Sequence, residues 1–128
     1  MMKKVNIYKD IEGTVFPAGR HGRVIAGASG PLQPENYVIG TSDLYENGGS
    51  VPEHEHETEE TYIIVSGRGV MTVGDEKFDV EAGDAIYVKP WLKHSLTNTG
   101  GEVLRIMYVY APNVVVDHWK QELDGTLK

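Results

Sequence analysis

The chain has 128 residues, the size of one domain with a substantial core. Hydrophobic residues make up 40% and charged residues 24%, ordinary for a globular protein, and the net charge of −7 argues against a nucleic-acid surface. There is no cysteine, so disulfides and thiolate metal sites are excluded, and any metal must be held by nitrogen and oxygen donors.

The N-terminal stretch MMKKVNIYKD is basic but has no apolar h-region, so no secretory signal is expected. No apolar run approaches the roughly 20 residues of a membrane span. The expectation is a cytoplasmic protein that avoids membranes. Residues 1–35 read as an N-terminal arm with some strand. Within it, Phe16–Arg23 mixes breakers with charge, and Gly30–Pro34 is a loop.

Candidate strands follow: Val24–Ala26, Tyr37–Tyr45, Thr61–Val65, Gly69–Val73, Lys77–Val80, Ala85–Lys89, His94–Thr97 and Val103–Tyr110. Turn residues separate them at Glu46–Gly49, Ser66-Gly67, Gly74-Asp75, Glu81–Asp84 and Asn98–Gly101. Short strands at this spacing predict an antiparallel sandwich or barrel, an all-β domain with its core over about 36–112. The tail, 113–128, carries a predicted short helix over Val116–Leu123 with Asp117 as its N-cap.

The chemistry-bearing residues are His54-Glu55-His56, Glu60 four residues beyond, and His94 far along the chain. On a helix His54 and His56 would stand about 200° apart and could not share an ion. On a strand, i and i+2 share a face, and the β-prone run Thr61–Val65 supports a strand here. Glu60 has the same parity and could return to the same ion after a bend near Glu57–Glu59. From spacing alone the pair is equally readable as a solvated acidic loop, since Glu53, Glu55, Glu57, Glu59 and Glu60 surround it. His94 joins the set only if the fold brings its strand alongside.

Two motifs decide the matter by resemblance. Gly48-x5-His54-x-His56-x3-Glu60-x6-Gly67 resembles the first cupin motif at every fixed position, and Gly83-x10-His94-x3-Asn98 resembles most of the second. Two positions depart from the second motif: Lys89 stands where the family usually has proline, and Trp91 where it often has glycine. Both fall in the turn that presents His94, so Trp91 lines or lids the pocket mouth, or else packs on the barrel rim.

The resemblance implies a double-stranded β-helix (a jelly-roll barrel) in which His54, His56, Glu60 and His94 are metal ligands. Three imidazoles and a carboxylate suit one divalent transition-metal ion, Fe, Mn, Ni, Co or Zn. An octahedral ion would keep two open positions, whereas a closed tetrahedral zinc site would be structural. Homodimerisation is a further implication.

Strand parity extends the pocket. Tyr62 and Ile64 should face inward with Glu60, Leu96 and Asn98 with His94, and Tyr108 or Met107 should reach the cavity from the last long strand. Tyr62 and Tyr108 are candidate general acids, or core tyrosines, and Glu60 is a ligand or a general base. Arg23 and Arg105 are candidate anion binders or solvated charges, and His21 is a lone histidine. His118 and Trp119 should pack the tail against the barrel or a partner subunit. The expected function is metal-dependent action on a small organic molecule, of dioxygenase, isomerase, decarboxylase or lyase type. The alternative is a non-catalytic module that binds a sugar or other small molecule.

Overall fold

The structure, a computed structural model, describes residues 3–128; Met1 and Met2, the start of the stretch read for a signal, lie outside the described residues. A one-turn helix α1 (Ile7–Asp10) leads into β1 (Thr14–Phe16), β2 (Arg20–Ala26), β3 (Val38–Leu44), β4 (Ser50–His54) and β5 (Glu59–Ser66). Then come β6 (Arg68–Val73), β7 (Glu76–Glu81), β8 (Ala85–Val88), β9 (His94–Asn98), β10 (Leu104–Ala111) and α2 (His118–Leu123). The strands form two sheets, one in the order β1-β2-β3-β10-β5-β8 and one in the order β4-β9-β6-β7, with antiparallel pairing throughout. This is the all-β double-stranded β-helix, with one short C-terminal helix.

Alternation drives the packing. Along β10, Leu104, Ile106, Tyr108 and Tyr110 are buried while the residues between them face outward. β5 repeats this with Glu60, Tyr62 and Ile64, and β9 with His94, Leu96 and Asn98. Val38, Leu44, Ile64, Met71, Leu96, Leu104 and Ile106 meet between the sheets. Each such burial contributes about 1.5–3 kcal/mol. Inward parity of Glu60, Tyr62, Ile64, Leu96 and Asn98 is as the alternation predicted, and of the two candidates left open on β10 Tyr108 faces inward and Met107 the other way.

Tyr108 lies across β3 because position 40 is glycine. A Cβ there would come within 2.2 Å of the tyrosine hydroxyl. Asn98 ties down the β9–β10 turn: its amide donates to the carbonyls of Leu44 (3.1 Å) and Glu102 (2.7 Å), and its oxygen accepts from the Gly100 N–H (2.8 Å).

Several boundaries differ from expectation. β2 begins at Arg20, four residues earlier than predicted, inside the stretch that mixed breakers with charge. That charge is not solvated: Arg20 is buried against Glu122 of α2 and lies over the Phe16 ring at 4.0 Å. β1 lies in the N-terminal arm that was expected to carry some strand, without bounds, whereas α1 was not anticipated; Asn6 caps α1 by accepting from the N–H groups of Tyr8 and Lys9. α2 starts at His118 rather than Val116, and Asp117 at its N-cap position makes no side-chain bond.

The tail docks on the barrel. Val116 enters the core, Trp119 packs near Tyr108 and Tyr110, and Tyr110 donates its hydroxyl to the Val114 carbonyl. At its centre both terminal nitrogens of Arg20 reach the Glu122 carboxylate, and His118 Nδ1 lies 2.8 Å from the same group. Glu122→Ala strands a buried guanidinium and should lower stability by about 3–5 kcal/mol, read from the denaturant midpoint. Arg20→Met with Glu122→Leu should recover most of that. Burial opposes ionisation of Glu122, but the bonds from Arg20 and His118 hold its carboxyl below the usual range. A carboxyl with a depressed folded-state value stabilises above its unfolded value and loses that contribution as pH falls through the folded one. α2 should therefore undock as pH drops below about 4, followed by Trp119 fluorescence, and Glu122→Gln should abolish the step.

Candidate metal centre

The site is built where β4 meets β9. Their ladder slips between Val51 and His54, next to Pro52, which has no N–H to contribute. Past the slip, His54 pairs directly with His94. β4 ends there, so His54 and His56 do not share one strand as parity supposed. His56 follows in the bend that includes Glu57 and Thr58, and the Trp91 N–H holds its carbonyl at 2.8 Å. Glu60 then re-enters on β5.

All four side chains are buried, and one ligand atom from each lies within 4.8 Å of the others. Ring orientation is set from behind. His54 Nδ1 lies 2.7 Å from the Pro52 carbonyl and His94 Nδ1 lies 2.8 Å from that of Leu92, so in both a carbonyl two residues back accepts the Nδ1 proton. His56 Nδ1 contacts the carbonyl (3.1 Å) and hydroxyl (2.8 Å) of the fully buried Thr58. With Nδ1 protonated, each Nε2 turns a lone pair toward the centre.

There the polar accounting fails to close. His54 Nε2, His94 Nε2 and Glu60 Oε1 are buried and make no hydrogen bond. Glu60 Oε1 lies 3.3 Å from Nε2 of both His56 and His94. Three buried acceptors aimed at one point are costly unless a cation sits among them. Electrostatics agrees for two of the donors, while at His56 burial is outweighed by the adjoining Glu60 carboxylate, which raises that imidazole above its ordinary range. Burial, then the neighbouring His118 and His94, pushes His54 well below the ordinary histidine range and keeps it neutral. Burial works against the charge on Glu60, but contact with His56 and His94 holds its carboxyl below the usual range. A neutral imidazole and an ionised carboxylate are the forms a metal requires. The cluster could hold a metal ion, and its nitrogen and oxygen donors fit the borderline divalent metals.

The other candidates divide. Tyr62 is buried edge-on to His94, ring centroids 5.9 Å apart, and Tyr108 is buried near Tyr110 and Trp119. Burial, with the nearby Glu60, keeps both phenols protonated far above neutrality. Arg23 and Arg105 lie on the outer face, where both pair with Asp43 and flank the Tyr8 ring, so neither faces the centre. His21 contacts the Glu12 carbonyl away from the cluster. Trp91 is 65% exposed and covers nothing; its backbone φ of +63° is the left-handed conformation that favours glycine at this position.

The tail takes the covering role instead. His118 stacks on His54, ring centroids 3.6 Å apart, and Arg20 and Glu122 stand behind it. Neither Arg20 nor Glu122 was singled out in the sequence, where nothing relates two charges 102 positions apart.

The barrel and its histidine-carboxylate cluster define a class, and sequence similarity agrees with it. The profile of the family described as "Cupin domain" matches residues 43–110, and the chain belongs to that family. An uncharacterized protein of Methanocaldococcus jannaschii is 32% identical over 105 residues, which cover 81% of this chain and 78% of that one. Among solved structures, the polyketide cyclase RemF from Streptomyces resistomycificus superposes with a TM-score of 0.72 at 21% identity, covering 91% of this chain and 88% of that one. An RmlC-like cupin from Shewanella frigidimarina gives 0.71 at 14% identity, covering 87% and 92%.

Thr58→Val removes the hydroxyl behind His56 and leaves the carbonyl. Metal affinity should fall by about tenfold with little change in thermal stability, measured by competition with a chromogenic chelator.

Proposed function

We propose that this protein is an enzyme that binds one divalent transition-metal ion through His54, His56, Glu60 and His94 and acts with it on a small organic molecule. The observation that carries the reading is the convergence of His54 Nε2, His94 Nε2 and Glu60 Oε1, buried without hydrogen-bond partners, on a single point. When bound, such an ion supplies Lewis acidity toward a substrate oxygen, or a place where substrate and dioxygen meet.

The chain's own groups have separable tasks. The carbonyls of Pro52, Leu92 and Thr58 fix the imidazole tautomers, so the donor atoms need no reorganisation. Glu60 completes the donor set and, released from it, is a base inside a closed space. Tyr62 and Tyr108 keep their protons at neutral pH and serve as hydrogen-bond donors to a developing negative charge. Iron, manganese, nickel, cobalt and zinc all suit the donor set. The shared barrel of a polyketide cyclase supports the reading by fold alone.

Protein purified without a polyhistidine tag should carry about one ion per chain by elemental analysis, and His94→Ala should carry none while still folding. No stoichiometric metal in the native protein, or unchanged loading in His94→Ala, would defeat the assignment. If the ion is iron, oxygen consumption across catechols, diketones, thiols and flavonols separates a dioxygenase from the non-redox classes.

A second copy of the chain is the partner we propose. Ile63, Val65 and Tyr87 are exposed on the outer face of β5 and β8, with Met107 and Val109 beside them on β10. An apolar sheet face of this kind is suited to self-association about a two-fold axis. Light scattering should give a dimer for the native chain and a monomer for Ile63→Lys, with metal content unchanged.

A further inference from the structure

The candidate metal cluster is buried, and a separate open cavity of about 340 Å³ touches it only at His54. Another cavity beside it, bounded by Glu60, Tyr62, Tyr110 and His118, has about 20 Å³ of free space, room for roughly one water. A larger open groove of about 390 Å³ lies just outside, between the N-terminal strands and α2. Arg20, Ser42, Tyr108 and Trp119 border both spaces and form the neck between them. A molecule entering from the groove therefore meets Arg20 before it meets Glu60.

We propose that Arg20 is the binding residue for a substrate carboxylate, and that the Glu122 side chain occupies its place until the substrate arrives. The inference rests on the four-residue centre being the reacting site, and adds the class of substrate: a small monocarboxylic acid that enters through the groove.

Arg20 is 2% exposed, and among the described residues the only ionic partner of its guanidinium is Glu122. Two guanidinium nitrogens engage that carboxylate and one also reaches the Ser50 carbonyl, while Phe16 covers the guanidinium. From this groove, anything larger than water passes the neck to Glu60 when Trp119 and the helix that carries it move aside. That movement withdraws Glu122 and would leave a buried cation unpaired, which is strongly unfavourable. An incoming carboxylate cancels the penalty by taking the same two bonds. Opening and binding are therefore one exchange: the helix gives up its anchor as the ligand acquires it, and His118 lifts from His54 in the same motion. A neutral ligand cannot drive the exchange. A phosphate dianion would place a second negative charge near Glu60, so a single carboxylate fits better.

The test uses the full-length protein with metal content measured for each variant. Calorimetry with acetate, lactate and benzoate, each against its amide and against inorganic phosphate, reads the binding. Glu122→Gln keeps the shape and removes the competing charge, so at least one acid should bind about tenfold or more tighter than to native protein. The amides should be unaffected. In a Trp91→Phe background Trp119 is the only tryptophan, and its emission should shift to the red as the acid binds. Arg20→Met combined with Glu122→Gln removes both charges, which guards against a variant that fails to fold, and should lose the acid binding while keeping its metal. The proposal is overturned if that double variant binds the acids as Glu122→Gln does. It is equally overturned if Glu122→Gln gains no affinity for any of the three acids, or if phosphate or the amides bind as well as the acids. Absence of metal with the Arg20-dependent acid binding intact would overturn the reading of the centre and leave this one standing.

Discussion

His54 stands directly opposite His94 in the β4–β9 ladder, and the rest of the site is arranged around that pairing. Once two imidazoles from strands about forty residues apart are held opposite one another in the ladder, a third from the following bend and a carboxylate from the next strand need only local geometry to join them. The pairing lies just past a slip in the ladder, so β4 is free to peel away and carry His56 back over the same point. Rigid sheet supplies the precision and a short irregular bend supplies the third ligand. Such a division suits a centre whose atoms must converge closely.

The same pairing sets the energetic problem. Four donors in the interior, three atoms without a hydrogen bond, and a carboxylate held ionised against its burial make a cluster that disfavours the compact state by itself. The apolar layer beneath it, with Met71, Leu96, Val88 and Leu104 wholly buried, offsets that cost. Fixing the rings by backbone carbonyls two residues back also removes any need for a second set of polar side chains in that layer. Thr58 is the exception, and it serves the one histidine that no strand holds.

Legibility in the sequence follows the range of each interaction. Alternation in β5 and β9 is a local property, so the inward direction of Glu60, Tyr62, Leu96 and Asn98 could be read from parity, whereas on β10 Tyr108 and Met107 were left as alternatives. The ligand quartet needed the spacing resemblance, because nothing local brings His94 to His54. Parity placed both His54 and His56 inward for a partly mistaken reason: one is on the strand and the other is past its end. Arg20 was hidden altogether. A charge between Gly19 and His21 reads as a solvated loop unless Glu122 is known to lie above it. For Trp91 the sequence left two readings open, a residue lining or lidding the mouth or an aromatic packed on the barrel rim, and the structure bears out no lid. The conformation of Trp91 is set by the backbone bond to His56, and its ring points to solvent.

What covers the centre in its place is a helix of six residues, α2, too short to be stable without tertiary contacts. Its docking rests on Val116 in the core, on Trp119 at the neck and on one buried ion pair, a small set of anchors compared with the sheets below. Local opening free energies scale with such contacts, so the tail belongs to the part of the molecule that opens first. Three of the four candidate donors, His54, His94 and Glu60, are carried by strands, and His56 by the bend that follows β4. Arg20 lies on β2, on the sheet side of the ion pair that docks the helix.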